Sequence, residues 1–336
     1  MSTRMKLFAV SLFGVLVMAL AATAGPPPGY YAPAEGKAAM ALRTALHGLL
    51  HNHRIIPYSS STKFDTSDAL KVLDQDLANT NNVWLLYAQR SEPKSSFGLT
   101  AGWNREHLWP NSYGLDDVEP AYSDLHNLRA EDAHVNSSRG NKYYDVSDTN
   151  NASYVFPANT DAPLASADSD SWQPPDVVKG DIARALFYMT MRYTGDTNNE
   201  PTLFLTDETN LISSATNFMG KFSTLIKWHL ADPVSPAESN RNDLVYALYQ
   251  TNRNPFVDRP EWVMSAFIPI LTLRQQTTNV VLSWPADYAP TMLAEQTTNL
   301  SSTWTRVTNA PALTTNTWTV AIRREPGQRF FRLRLL

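Results

Sequence analysis

The chain contains no cysteine. That excludes disulfide staples, thiolate metal sites and a cysteine nucleophile, so hydrophobic burial, aided at most by bound metal, has to hold the fold. Long apolar runs are almost as scarce. One stretch, Leu7 to Ala22, follows Arg4 and Lys6 and ends at Ala22-Thr23-Ala24. A charged start, an apolar stretch and small residues at its end make a cleavable export signal. The run is also shorter than the ~20 residues of a spanning helix. The mature protein is therefore expected to begin near residue 25, after cleavage close to Ala24. It is expected to be secreted (extracellular or periplasmic), with no membrane span.

A positive net charge is missing too: the 336 residues carry −4. Residues 275–336 hold six arginines against Asp287, Glu295 and Glu325, a balance of +3, so the acidity lies in the preceding part. An acidic main body argues against packaging or storing nucleic acid. A transient hydrolase of the same polymer needs only a local cationic site and a metal.

What is present is ample material for a core, with 43% hydrophobic residues and nine tryptophans. Leu42, Leu46, Leu49 and Leu50 recur at helical spacing within 36–53, and Ile182, Leu186, Met189 and Tyr193 form a stripe within 176–193. Further helices are expected at 65–77, 217–230 and 236–250, a buried strand at Val83–Tyr87, and a long loop over 145–174, which is rich in Asp, Asn, Ser and Pro. Beyond about residue 275 charges thin out, and five short Thr/Val/Trp segments alternate with turn signals, which predicts a small all-β module. The organisation expected is a leader at 1–24, a catalytic domain at 25–270 and a β module at 275–336, in an α+β fold whose main domain is largely helical.

Two segments carry the chemistry. One runs Trp103-Asn104-Arg105-Glu106-His107-Leu108-Trp109-Pro110. The other runs Ser123-Asp124-Leu125-His126-Asn127-Leu128 and continues to His134-Val135-Asn136-Ser137-Ser138-Arg139-Gly140-Asn141. Phosphodiester hydrolysis needs a base for the attacking water, balance for charge on phosphorus, and stabilisation of the leaving oxygen. A neutral imidazole meets the first need. A hard divalent cation held by one carboxylate and one amide oxygen, and otherwise by water, can meet the other two. Adjacent Glu106 and His107 are a weak signal alone. On a strand they point to opposite faces.

Taken together, the segments resemble the endonuclease I family, a branch of the His-Me finger (ββα-metal) nucleases. The likeness covers roughly residues 38–265 and includes Lys179 to Ala185 and Asn252 to Asp258. It implies a His-Me finger core, His107 as general base, and Glu106 and Asn136 as ligands of Mg²⁺ or another divalent cation such as Ca²⁺ or Mn²⁺. It further implies hydrolysis of DNA, RNA or both to 5′-phosphate ends with weak sequence specificity. No protein partner is evident, and a monomer is expected. Some members have an arginine just after the Glu-His pair that steadies the product phosphate, but here Pro110 to Asp124 contains no Arg or Lys. Arg105, Arg139 and Arg184 are the candidates for that role. Arg139 ranks first because it lies one helical turn from Asn136. His126 and Asn127 are expected to support the site rather than touch phosphate, although contact with substrate stays open for both. Two other readings stay open: a non-catalytic surface or matrix protein with a relic finger, and a metal-dependent nucleotide phosphatase.

Overall fold

The computed structural model describes residues 25–196, 200–286 and 292–335. The leader expected at 1–24 lies outside them. None of the helices described is long and apolar enough to cross a membrane.

Eight α-helices occur among the described residues: α1 (Ala39–Leu50), α2 (Thr66–Leu73), α3 (Ala133–Arg139), α4 (Lys179–Arg192), α5 (Phe222–Ala231), α6 (Pro236–Leu244), α7 (Pro255–Asp258) and α8 (Trp262–Phe267). α1 buries Leu42, Leu46 and Leu50, as its leucine spacing predicts. α2 starts where a capping box forms between Asp65 and Asp68. α6 begins at Pro236 behind the Ser235 cap and passes into a π-helical stretch, Val245–Gln250.

α4 is the central strut. From Ile182 to Arg192 every residue is buried, not only the expected stripe, because α1, α5 and α7 all pack on it. Its two arginines are tolerated inside because each meets a carboxylate: Arg184 bonds Glu238 through two nitrogens at 2.6 Å each, and Arg192 bonds Glu200. Between the helices lie loops and two- or three-stranded sheets, so this part of the chain is mixed α and β rather than largely helical. The expected strand at Val83–Tyr87 covers only Asn82–Trp84, although Leu85, Leu86 and Tyr87 are fully buried.

Asp124 ties the strut to the strand–loop region. This buried carboxylate accepts from Tyr188 Oη (2.8 Å) of α4, from Tyr193 Oη (2.7 Å) just past its end, from Gln250 Nε2 (3.1 Å), and from the His126 amide (2.9 Å). His126, also buried, lies beside the Tyr188 ring with its Nε2 3.5 Å from the Asn252 carbonyl. Burial pulls its imidazole down to about 4, against the pull of Asp124. The unfolded ring takes a proton near pH 6.5 and the folded one only near 4, so in that window the folded state binds fewer protons. Stability should therefore fall as pH drops from 6.5, with His126 contributing at most about 1.4 kcal/mol per pH unit. Urea titrations at stepped pH would check this. An unchanged slope in His126→Gln would remove the assignment.

The strands described between residues 272 and 335 form two separate antiparallel sheets. One has strands Thr272–Gln275, Asn279–Pro285, Thr317–Arg323 and Ala312–Thr314, in that spatial order. The other has Thr305–Arg306, Met292–Thr297 and Phe330–Leu335. Leu282, Trp284, Ala294, Val307, Val320 and Ile322 make a core between them. Met292 packs instead in the main core, Leu333 touches both cores, and Arg334 reaches Glu208. The basic balance of this segment is partly neutralised internally, since Arg332 and Arg334 share Glu295 and Arg329 pairs with Glu325.

Candidate active site

Two antiparallel strands and α3 build the site. Trp103–His107 pairs with Leu128–Asp132, so that Trp103 faces Asp132 and His107 faces Leu128. The second strand runs directly into α3, because Asp132 accepts from the amides of His134 (2.8 Å) and Val135 (3.0 Å) and so caps the helix. Gly140, at φ +57°, ends it one residue past Arg139.

Strand alternation sorts the first strand into two functional faces. Asn104 and Glu106 turn toward α3. There, Asn136 Nδ2 donates to Asn104 Oδ1 (2.7 Å) and to the Arg105 carbonyl (3.1 Å). These two bonds fix the amide, so its oxygen points away from them and accepts no hydrogen bond among the described residues. Glu106 is 1% exposed. Its Oε1 accepts from Tyr87 Oη (2.7 Å) and Arg139 Nη1 (3.1 Å), while Oε2 accepts none among the described residues. Burial raises the Glu106 carboxyl above its ordinary value, opposed by Arg139 and Tyr87.

Arg105 and His107 occupy the other face. The Arg105 guanidinium lies 3.8 Å from the Tyr58 ring centroid and bonds the Tyr58 carbonyl, Ser59 Oγ and Thr66 Oγ1. His107 lies nearly parallel to the Tyr58 and Tyr122 rings, at 5.4 and 5.1 Å. Its Nε2 is 2.8 Å from the Tyr122 carbonyl. A carbonyl only accepts, so Nε2 carries the hydrogen and Nδ1 keeps its lone pair. Burial pulls this imidazole down to about 4, only partly offset by the Tyr122 bond, and Arg105 and Arg139 add to the effect. At neutral pH the ring is an uncharged base.

The remaining sequence candidates fall in supporting places. Arg139, which helical spacing offers as the phosphate contact, is closed to substrate: it is 1% exposed and all three of its nitrogens are engaged. Nε bonds the Lys142 carbonyl, Nη1 bonds Glu106 and the His107 carbonyl, and Nη2 bonds the Leu108 carbonyl. Arg184 is fully buried among Glu238, Asp181 and the Asp232 carbonyl, so it too is closed to substrate. Asn127 brackets Trp109, accepting from its amide (2.7 Å) and donating to its carbonyl (3.1 Å). Of the arginines considered, only Arg105 remains partly exposed beside His107.

Sequence reasoning missed Tyr58, Tyr87, Tyr122, Tyr144 and Glu131. Tyr87 also bonds Tyr144 through the two hydroxyls (2.6 Å). Glu131 accepts from the amides of Tyr87, Ala88 and Asp132, and burial pushes it up to about 8. These partners come from distant segments and share no spacing that a sequence could show.

The site thus has one nitrogen able to accept a proton and, on the neighbouring residue and α3, two oxygens suited to a hard cation. No group of three or more His, Asp or Glu that could hold a metal ion occurs among the described residues. Two protein oxygens fit a cation that retains most of its water, such as Mg²⁺. An unprotonated imidazole nitrogen and two unbonded oxygens on one strand–strand–helix unit are groups that a hydrolase can use. Residues 38–261 match the family model of Endonuclease I, and the chain belongs to that family. It is 45% identical over 235 residues to the "Extracellular ribonuclease" of Bacillus amyloliquefaciens, which covers 69% of this chain and 76% of that protein. It is also 42% identical over 251 residues to the "Extracellular ribonuclease" of Bacillus subtilis (strain 168), covering 73% of this chain and 82% of that protein.

Proposed function

We propose that this chain is a secreted, divalent-cation-dependent endonuclease that hydrolyses RNA, and DNA by the same chemistry, to 5′-phosphate and 3′-hydroxyl ends. The observation that carries the reading is the His107 ring, whose Nε2 is committed to the Tyr122 carbonyl while Nδ1 is left basic at the end of the strand, one residue past Glu106. Membership of the endonuclease I family and two relatives named as extracellular ribonucleases support it. The strand–strand–helix unit is read as the His-Me finger, residues 25–270 as the catalytic part, 275–336 as an appended β module, and 1–24 as the export signal.

Glu106 Oε2 and Asn136 Oδ1 would hold the cation. When bound, it supplies charge for the phosphate and for the leaving 3′-oxygen. His107 Nδ1 takes the proton of the attacking water. Tyr58 and Tyr122 keep the ring aligned and partly shielded from solvent. Arg105 is the cation placed to meet a phosphate on the His107 face, in the role for which Arg139 is closed. Since water is the nucleophile, no ribose 2′-hydroxyl is needed.

The test is incubation of the purified mature protein with structured RNA and with supercoiled plasmid, in Mg²⁺ and in EDTA. Cleavage of RNA in Mg²⁺ that stops in EDTA is expected. Intact RNA in Mg²⁺ would overturn the activity, and full cleavage in EDTA would overturn the metal dependence. An intact plasmid beside cleaved RNA would narrow the substrate to RNA.

A further inference from the structure

Glu106 is held in an unequal way. Both of its protein donors act on the same oxygen: Tyr87 Oη at 2.7 Å and Arg139 Nη1 at 3.1 Å on Oε1. A carboxylate oxygen has two in-plane lone pairs, and here both are taken. The donors are themselves fixed. Tyr87 is fully buried and its hydroxyl is 2.6 Å from that of Tyr144. With Tyr87 donating to Glu106, Tyr144 supplies the hydrogen between them. Arg139 lies with its guanidinium carbon 4.7 Å from the centre of the Tyr144 ring, tied also to the carbonyls of residues 107, 108 and 142. Reorienting Glu106 to present both oxygens would break two hydrogen bonds in a dry environment, one of them charge-assisted.

We propose that Tyr87 and Arg139 confine Glu106 to one-oxygen ligation through Oε2, and that this selects small octahedral cations over calcium. The inference rests on the metal-dependent reading of the site. Calcium takes six to eight oxygens and gains from carboxylates that chelate through both. Magnesium and manganese take six at shorter distance and retain water. A site with one carboxylate oxygen and one amide oxygen leaves calcium short of ligands, because the acidic neighbour Glu131 spends its oxygens on the backbone amides of Tyr87, Ala88 and Asp132. Tyr87 and Arg139 are positioning residues here. Neither has to touch the cation.

The experiment is cation binding to the full mature chain without substrate. Mg²⁺ and Ca²⁺ would be titrated calorimetrically, with competition against Mn²⁺ followed by its paramagnetic resonance signal. In Tyr87→Phe one lone pair of Oε1 is released, and the calcium-to-magnesium affinity ratio should rise about tenfold, the equivalent of one hydrogen bond exchanged for a second metal contact. Tyr144→Phe removes a hydroxyl of equal burial that does not reach Glu106, and its ratio should stay near that of the wild type. Thermal melts of both variants report whether they fold. An unchanged ratio in a folded Tyr87→Phe, or an equal change in both variants, would overturn the inference while leaving the metal site standing. A wild-type chain that binds none of the three cations, like Glu106→Gln, would instead overturn the metal reading itself.

Discussion

Replacing His107 with alanine is expected to lower the rate of RNA cleavage by roughly 10²- to 10⁴-fold, the usual contribution of a positioned general base, while the protein stays folded. The expectation follows from the two ring nitrogens having different tasks. Nε2 is held by the Tyr122 carbonyl, so Nδ1 is the atom left to receive a proton. The ring is partly buried, with its pKa drawn down to about 4, and so it enters the reaction uncharged. Removal of the ring leaves Tyr58 and Tyr122 still in contact with each other at 3.9 Å between centroids, which limits structural damage. Cation affinity should be unchanged, because neither Glu106 nor Asn136 bonds the His107 ring. Single-turnover cleavage with binding isotherms would separate these effects. Wild-type cleavage by His107→Ala would remove the mechanism while leaving the activity.

The second large effect should come from Arg139→Met. This substitution leaves Glu106 buried with only Tyr87 to stabilise its charge, and it deprives three backbone carbonyls of a donor. Breaking a buried pair from one side costs about 3–5 kcal/mol, because the remaining charge is desolvated and unmatched. Urea unfolding should show a loss of that size, and cleavage should fall with it. Adding Glu106→Gln to Arg139→Met should recover part of the stability though none of the activity, since the pair is coupled by contact. An Arg139→Met protein within about 1 kcal/mol of wild type would mean that water or a rearranged neighbour already satisfies Glu106.

The first of these sites could be read from sequence and the second only in part. Glu106, His107 and Asn136 sit in contiguous motifs, and the strand pair and α3 that carry them are local structures with local signals, such as the Asp132 cap. Arg139 is different. Helical spacing places it one turn from Asn136, but spacing does not say whether the turn faces solvent or the core, and here it faces the core. Tyr87 lies 19 positions before Glu106 and Tyr144 lies 38 after it, and only folding brings their hydroxyls together. The strands Thr272–Gln275 and Ala312–Thr314 were also invisible. Both are short and wholly exposed, so neither has the alternation that marks a half-buried strand. Leu85 to Tyr87 erred the other way: their apolar character reports burial truthfully but says nothing about strand pairing.

The excursion between the two strands is clasped at its base. Asn127 grips the backbone of Trp109 at both its amide and its carbonyl, so the chain leaves and re-enters the hairpin at set points. Insertions in the near half of that excursion fit at the exposed Asp116 and Asp117, since Tyr113 and Leu115 before them are anchored in the main core. The far half is not so free, because the Tyr122 carbonyl accepts the hydrogen of the His107 ring. Lineages that vary this segment should therefore change its length early in the excursion and conserve its last turn, and that is where new substrate contacts could be grafted on.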